Sequence, residues 1–175
     1  MSVHIIIDGY NLIRQSASLK KIDQNDLQLG REALIDQLTA YKRLKKHIIT
    51  VVFDGSPEFS HFRSTQQEKG IGIKFSKYGE NADAVIKRMA SKEREKALIV
   101  SSDNEVVRFC ASQGASVISA EEFEEKMALA ALMDIKGEAL EPGNGNGWAA
   151  STKKKGQGKK LPKKTRRNLK KLTKL

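Results

Sequence analysis

Short apolar runs and longer amphipathic stretches alternate along this chain. Residues 3–7, 48–53, 70–75, 97–100 and 116–119 are brief apolar runs, most of them rich in β-branched side chains. Such runs read as strands, with the alternating "GIGIKF" at 70–75 a shorter one nearer an edge. Between them, apolar residues recur at helical spacing. Leu34, Ile35, Leu38 and Tyr41 mark a helix over about 31–46, and Ala82, Val85, Ile86, Met89 and Ala90 mark another inside "GENADAVIKRMASKER". Ser102 to Glu105 spells a capping box ahead of Val106, Val107, Cys110 and Ala111, and Gly114 stands where that helix ends. Ser119 to Glu122 spells a second box opening a helix to about 135, and Ser56-Pro57 reads as a further helix start. Strands alternating with helices predict an α/β fold with a mostly parallel sheet and helices on both faces.

Three strands end on an aspartate: Asp8 in "IIIDGYN", Asp54 in "VVFDGS" and Asp103 in "LIVSSDNE". In an open α/β sheet, ligands bind beyond the carboxyl ends of the strands, and a central first strand brings the three together there. Asp83, in the first turn of its helix, points to the same edge, with Glu80 close behind; Asn11 is placed to orient a water or a phosphate oxygen. Each aspartate has a plain alternative as a helix cap or turn residue. That alternative is strongest for Asp103, inside a capping box, and weakest for Asp8, which no strong helix pattern follows. Clustered carboxylates repel unless a cation neutralises them. An all-oxygen set suits Mg²⁺ or Mn²⁺, the metals of phosphodiester cleavage.

Charge adds a second feature. Twelve of the 32 basic residues fall between Ser151 and Leu175 with no acid among them, leaving 20 basic against 21 acidic residues in 1–150. The body is near neutral, and the net charge of +11 belongs to the tail. The chain divides into a body (1–137), a connector containing "EPGNGNG" and Trp148 (138–150), and a basic tail (151–175) too charged to fold alone. Lys153, Lys154, Lys155, Lys159, Lys160, Lys163, Lys164, Arg166, Arg167, Lys170 and Lys171 make the tail a candidate RNA-binding segment. Leu169, Leu172 and Leu175 are spaced for a helix on binding. A single cysteine, no apolar run long enough for a membrane span and no signal-peptide pattern point to the cytoplasm. His4, His47 and His61 lack ligand spacing, so no zinc site is expected.

The blocks "IIIDGYNLI", "GREALIDQL", "VVFDGS", "GENADAVIKRM", "VSSDNEVV" and "ISAEEFEEKM" follow one another over residues 3–127. In this order they resemble the YacP-like branch of the NYN domains, relatives of the PIN nucleases. The resemblance implies a PIN-like three-layer α/β/α sandwich. It also implies a metal-dependent endoribonuclease centre with carboxylates at Asp8, Asp83 and Asp103, joined by Asp54 and Asn11. Ribosome-linked mRNA cleavage comes with it, making mRNA, ribosomal RNA and the ribosome candidate partners. Arg31 matches a position of the pattern and reads either as a phosphate contact or as a surface helix arginine. The basic tail lies outside the resemblance. Two other functions compete. One is a non-catalytic RNA- or ribosome-binding factor working through the tail. The other is an aspartyl phosphatase, disfavoured because Tyr10 stands where that chemistry wants a second aspartate.

Overall fold

The computed structural model describes residues 3–55, 65–77, 79–139, 169–173 and 175. The helix start at Ser56, the connector from residue 140 on with Trp148, and the tail cations from Lys153 to Arg167 lie outside them, while residues 138–139 continue the last helix. Strand β1 (His4–Asp8) leads into three successive helices, α1 (Gly9–Gln15), α2 (Ala17–Asn25) and α3 (Leu27–Lys45). Then come β2 (Ile48–Phe53), β3 (Thr65–Glu68), β4 (Ile71–Phe75) and α4 (Ala82–Glu93). The series closes with β5 (Ala97–Val100), α5 (Asn104–Ser112), β6 (Ser116–Ile118) and α6 (Ala120–Ala139). The six strands form one sheet in the order β3-β4-β2-β1-β5-β6. All neighbours are parallel except β3, which runs antiparallel to β4. The first strand is central, and its register sets Asp8 opposite Val52 and Ile7 opposite Val100.

Burial on both faces explains why the central strands are continuously apolar. Ile5 and Ile7 of β1, Val51 and Phe53 of β2, and Leu98 and Val100 of β5 pack on one face, against Leu12 and Ile13 of α1, Leu34 and Leu38 of α3, and Phe123 of α6. The alternate residues Ile6, Val52 and Ile99 pack on the other, against Ile86 and Ala90 of α4 and Val106 and Cys110 of α5. The period of two along each strand thus builds both layers of the α/β/α sandwich. Among the described residues no helix is long and apolar enough to cross a membrane.

Several local expectations change. The stretch 9–26 carries two helices that periodicity does not reveal, and α3 begins at Leu27 rather than near 31. These helices are set by their caps: Asp8, Ser16 and Asp26 each accept a backbone N–H at the start of α1, α2 and α3. Asp8 is therefore a helix cap as well as a strand end. Strand β4 does lie near an edge, but the outermost place is taken by β3, an unforeseen strand whose sequence TQQE is polar. The cap of α5 is Asp103, which accepts from Glu105 N and Val106 N, while Ser102 Oγ instead accepts from Ala120 N at 3.1 Å. The box at Ser119 forms as read: Glu122 N–H donates to Ser119 Oγ at 3.1 Å and Ser119 N–H to Glu122 Oε2 at 3.5 Å. His4 is held by Glu93 and Thr50, a structural role.

The end of the basic tail is not free. Residues 169–172 form a helical turn, and Leu175 lies only 5% exposed in the core beside partly buried Leu172. The Tyr41 hydroxyl, pushed up to about 12 by burial, donates to Leu175 O at 3.0 Å, and Lys126 Nζ donates to Leu172 O at 2.9 Å. Lys171 Nζ donates to Glu95 O and, at 3.4 Å, to Ala97 O. Lys171, expected on RNA, thus contacts the body, while Lys170 is exposed. Two leucines give this end the apolar surface that the charge-rich stretch before it lacks. Leu175→Ala is expected to cost about 2 kcal/mol in urea denaturation of the full chain. Exposed Leu169→Ala should stay within about 0.5 kcal/mol; equal, negligible effects would show that the C-terminus is not docked in solution.

Candidate active site

Two Asp-Gly pairs put carboxylates where backbone crowding leaves no room for a larger residue. A Cβ at Gly9 would lie 2.3 Å from the Phe53 ring, and one at Gly55 would lie 2.2 Å from Ser76 O. Glycine lets the chain leave β1 and β2 tightly against neighbouring elements, which fixes Asp8 and Asp54 at the carboxyl edge of the sheet. Gly55 N–H also donates to Ser76 Oγ at 2.9 Å, tying the end of β2 to the end of β4.

Asp8 is 8% exposed. Its Oδ1 accepts from Asn11 N at 3.2 Å and its Oδ2 from Ser101 Oγ at 3.2 Å. Burial raises its pKa to about 6, the Asn11 and Ser101 bonds oppose the rise, and the charges of Asp83 and Asp54 add to it. Asp83, the second residue of α4, is also raised, by burial first and then by the charge of Asp103. Lys87 opposes that rise but is itself paired with Glu105. Asp54 Oδ1 accepts from Ala82 N at 2.6 Å, so the residue ending β2 holds the start of α4. Asp103 Oδ1 accepts from Glu105 N at 2.8 Å and Val106 N at 3.0 Å. The four aspartates share one edge: the charges of Asp83 and Asp54 act on Asp8, and those of Asp103 and Asp54 on Asp83. Glu80 is instead paired with Arg88.

Asn11 and Ser101 build the frame. The Asn11 Oδ1 accepts from Ser102 N at 2.8 Å, so α1 is tied to the β5–α5 turn; the side-chain NH₂ makes no hydrogen bond among the described residues. Fully buried Ser101 donates from Oγ to Asp8 and accepts from Asp103 N at 3.2 Å. Sequence reading passed over Ser101; its signal is the serine pair between a strand and a strand-end aspartate. Asp83 alone of the four carboxylates makes no hydrogen bond among the described residues, so it is the one least committed to the fold. Among the described residues, no three or more His, Cys, Asp or Glu side chains are gathered closely enough to hold a metal ion as they stand. The arrangement is an open row of oxygen donors, each capped aspartate keeping lone pairs beyond its bonds.

Arg31 is not a surface arginine. It is 6% exposed, its guanidinium lies 5.8 Å from the Phe75 ring centroid, and its Nη2 donates to Gln28 Oε1 at 2.8 Å. Tyr10, whose pKa burial raises, meets Phe53 edge-on with centroids 5.2 Å apart, and Phe53 stacks on Phe75 at 5.9 Å. Cys110 is core, its thiol pushed up to about 11 by burial.

The raised pKa of Asp8 means that the folded protein carries a costly charge at neutral pH. Between about pH 4 and pH 6 the native carboxyl binds a proton that the unfolded chain has released, so this group makes stability fall as pH rises through that window. In EDTA at pH 7.5, Asp8→Asn is expected to stabilise the chain by roughly 1–3 kcal/mol. The amide keeps an acceptor for Asn11 N–H and donates to Ser101. The gain should shrink toward zero at pH 4.5 in denaturant titrations; a gain independent of pH would exclude a buried charge as its cause.

Comparison with known proteins agrees with this fold. The YacP-like NYN domain family matches residues 5–174, so the family pattern runs through the basic tail, which is not outside it as the sequence blocks had suggested. The uncharacterized protein YacP of Bacillus subtilis (strain 168) is 28% identical over 86 residues, 49% of this chain and 50% of that protein; the match spans half the length of that relative. The crystal structure of Rae1 (YacP) from Bacillus subtilis superposes with a TM-score of 0.65 at 24% identity, covering 79% of this chain and 80% of that one. A point mutant of the same protein gives 0.64 at 23% identity over 77% and 80%. At these identities the structures speak for the fold: a mixed, mostly parallel six-stranded sheet between helical layers. With a profile match over nearly its whole length, this chain belongs to the YacP-like NYN domain family, a branch of the PIN-like nuclease superfamily.

Proposed function

We propose that this protein is a metal-dependent endoribonuclease that cleaves mRNA in association with the ribosome. The observation that carries the reading is the row of Asp8, Asp54, Asp83 and Asp103 at the carboxyl edge of a parallel sheet, with Asp8 and Asp83 both raised in pKa by burial and by neighbouring carboxylates. Such a row is unfavourable by itself and favourable once a hard dication sits in it.

The donor chemistry fits Mg²⁺ or Mn²⁺ held by a few carboxylates with much of its water shell, rather than enclosed in an all-protein cage. When bound, such an ion activates a water and stabilises charge on the attacked phosphate. Asp8 and Asp83 would hold it, with Asp103 and Asp54 completing the row. Asn11 and Ser101 keep Asp8 and Asp103 in register by the bonds Asn11 N–H to Asp8, Ser102 N–H to Asn11, Ser101 Oγ to Asp8 and Asp103 N–H to Ser101. The near-neutral body has little long-range pull on RNA. The tail cations, including exposed Lys170, supply it and raise the local concentration of substrate.

A second reading has one observation in its favour. Asp8, Asp54 and Asp103 all hold helix starts, a role that needs no catalysis. A non-catalytic RNA- or ribosome-binding factor would keep them for that alone. Asp83 separates the two, because no hydrogen bond to it is lost on substitution.

Cleavage of end-labelled mRNA with Mg²⁺ or Mn²⁺, with and without ribosomes, is the test. Discrete cuts are expected from the wild type and none in EDTA. Asp83→Asn should reduce the rate by about 100-fold or more, the scale of losing one group from an active site, with no loss of thermal stability. Equal background from wild type and Asp83→Asn, with RNA binding intact in both, would move the protein to the binding-factor class.

A further inference from the structure

The body's near-neutral charge is the sum of two unlike ends. The aspartates crowd the carboxyl edge of the sheet, while the turns that feed β2, β4 and β5 at the amino edge carry Lys46, Lys69 and Arg94. Strand length sets the two edges roughly 15 Å apart. At the amino edge an open cleft of about 560 Å³ lies between the last turns of α3 and the β3–β4 turn. Among the described residues its lining is Thr39, Lys42, Arg43, Lys46 and Lys69, four cations and no carboxylate. Lys42 Nζ donates to Gly70 O and Lys69 pairs with Asp36, two contacts that hold the β3–β4 turn against α3. Exposed Arg43 and Lys46 make no side-chain hydrogen bond or ion pair among the described residues. Glu68, next to Lys69, lines a separate cavity with Glu32. A concave surface lined by one sign of charge concentrates its field and draws counter-ions.

Backbone conformation points the same way. Among the described residues the non-glycine residues with positive φ are Lys46 at 50°, Lys69 at 49° and Arg94 at 50°. All three are basic, although only 32 of the 175 residues are. Positive φ disfavours any side chain with a Cβ, and such turns ordinarily take glycine or asparagine. Lys46 is the left-handed cap of α3, and Lys69 with Gly70 makes a two-residue hairpin turn with both φ positive. The chain thus gives up stability in three turns that each keep a cation, and all three lie on this edge. Strain held where local turn chemistry would remove it is an indicator of function. Glu95 stands between Arg94 and Lys96, so the cleft and not that turn is the centre of the basic surface.

The chemistry of the cleft selects its partner. Its described lining residues include no aromatic ring to stack on an unpaired base and no amide or carboxylate to read a base edge, so phosphate oxygens are the groups it can hold. Thr39 has already given its hydroxyl proton to Ile35 O. Paired RNA presents phosphates along a convex backbone with its base edges turned inward. A convex backbone enters a cleft; a flat lipid surface does not. The tail reaches the same edge. The Lys171 bond to Ala97 O sets the docked C-terminal turn at the start of β5, where exposed Lys170 follows Arg166 and Arg167 within four residues.

We infer that the amino edge of the sheet, centred on the cleft between Lys42 and Lys69, is a docking surface for the phosphate backbone of double-helical RNA. It lies at the opposite end of the strands from the aspartates, so the RNA it holds is a structured segment distinct from the strand at the carboxylate row. The inference goes beyond the nuclease reading and rests on its RNA-binding part alone, not on cleavage.

The test uses the full chain in EDTA, so that binding is read without cleavage. Fluorescence anisotropy follows a labelled RNA stem-loop of about 16 base pairs and single-stranded oligouridine over a range of salt concentrations. The basic tail is present throughout, so its contribution is common to all variants. Lys46→Gly combined with Lys69→Asn should weaken stem-loop binding by roughly tenfold or more at physiological salt. It should also reduce the slope of log K against log salt by about 2, one for each phosphate contact. The same double variant should raise the thermal midpoint by about 2–4 °C, because both substitutions remove strain. Weaker binding by a more stable protein is a combination that misfolding does not produce. Arg43→Gln, on regular helix, should weaken the stem-loop by about one unit of slope. Lys21→Gln combined with Arg108→Gln, exposed cations of α2 and α5, removes the same charge as the double variant and should lower the affinity by less than about threefold. A stem-loop affinity unchanged by the cleft substitutions, or lowered no more than in that control, would overturn the surface. An equal fold-loss on oligouridine would overturn the choice of paired RNA, and a loss confined to phosphatidylserine vesicles would replace RNA with a lipid surface. None of these results touches the Asp83 cleavage test. Conversely, stem-loop binding through these lysines by a chain that cuts nothing would keep the surface and remove the nuclease reading.

Discussion

Carboxylates crowded at one edge of a parallel sheet repel one another, and much of the surrounding structure answers that repulsion. Asp8 has the hardest position: central strand, buried, and with Asp83 and Asp54 pushing the same way on its ionisation. Two donors hold it, a backbone N–H at the start of α1 and the Ser101 hydroxyl. Asp54 and Asp103 meet the same problem by accepting backbone N–H groups at the starts of α4 and α5. Helix N-termini carry unsatisfied donors and a positive end of the dipole, so each cap lowers the cost of a charge that the sheet edge raises. Structural capping and the proposed metal ligation are therefore compatible uses of one residue. A carboxylate has about four lone-pair positions, and a cap takes one or two.

The constraint works only because the sheet cannot slide. One residue of slip between β1 and β2 would exchange Ile6 with Ile5 and Ile7 between two differently packed faces, at the cost of every buried contact they make. Pairing Asp8 with Val52 and Ile7 with Val100 thus fixes where the carboxylate lies along the strand direction. Gly9 and Gly55 then allow the chain to turn away at once, against Phe53 in one case and Ser76 O in the other. Core packing sets the site to within a residue, and the glycines set it to within a bond.

What the sequence made legible follows from this division. The strands buried on both faces are visible because their whole length must be apolar, and α4 and α5 are visible because each presents one clean stripe. Asp8, Asp54, Asp83 and Asp103 could be placed at one edge because strand ends in a parallel sheet share a side. The short helices after Asp8 were hidden: each buries only a turn, Leu12 and Ile13 in α1 and Leu19 in α2, too little for a period to register. Strand β3 was hidden because an edge strand with little to bury can be polar throughout. Arg31 read as either a phosphate contact or a surface helix arginine, since nothing local announces that Phe75, 44 positions on, lies against its guanidinium. Ser101 needed three-dimensional knowledge of which aspartate its hydroxyl would meet.

The C-terminus shows why charge counting alone misplaces a segment. By composition the last 25 residues are one basic stretch, yet Leu172 and Leu175 give its end enough apolar surface to dock. The docking site is the opposite end of the sheet from the carboxylates, where β5 begins at Ala97 and α3 ends beyond Tyr41. Strands of four to six residues keep these two ends roughly 15 Å apart. Lys171 is spent there on the backbone carbonyls of Glu95 and Ala97. Anchoring at that end leaves the carboxylate edge unobstructed by the described C-terminal residues. A polycation seated directly over the aspartates would neutralise them itself and compete with any dication for the row. The described anchor, with Lys171 turned to backbone carbonyls at the far end of the sheet, places no cation of its own over the row.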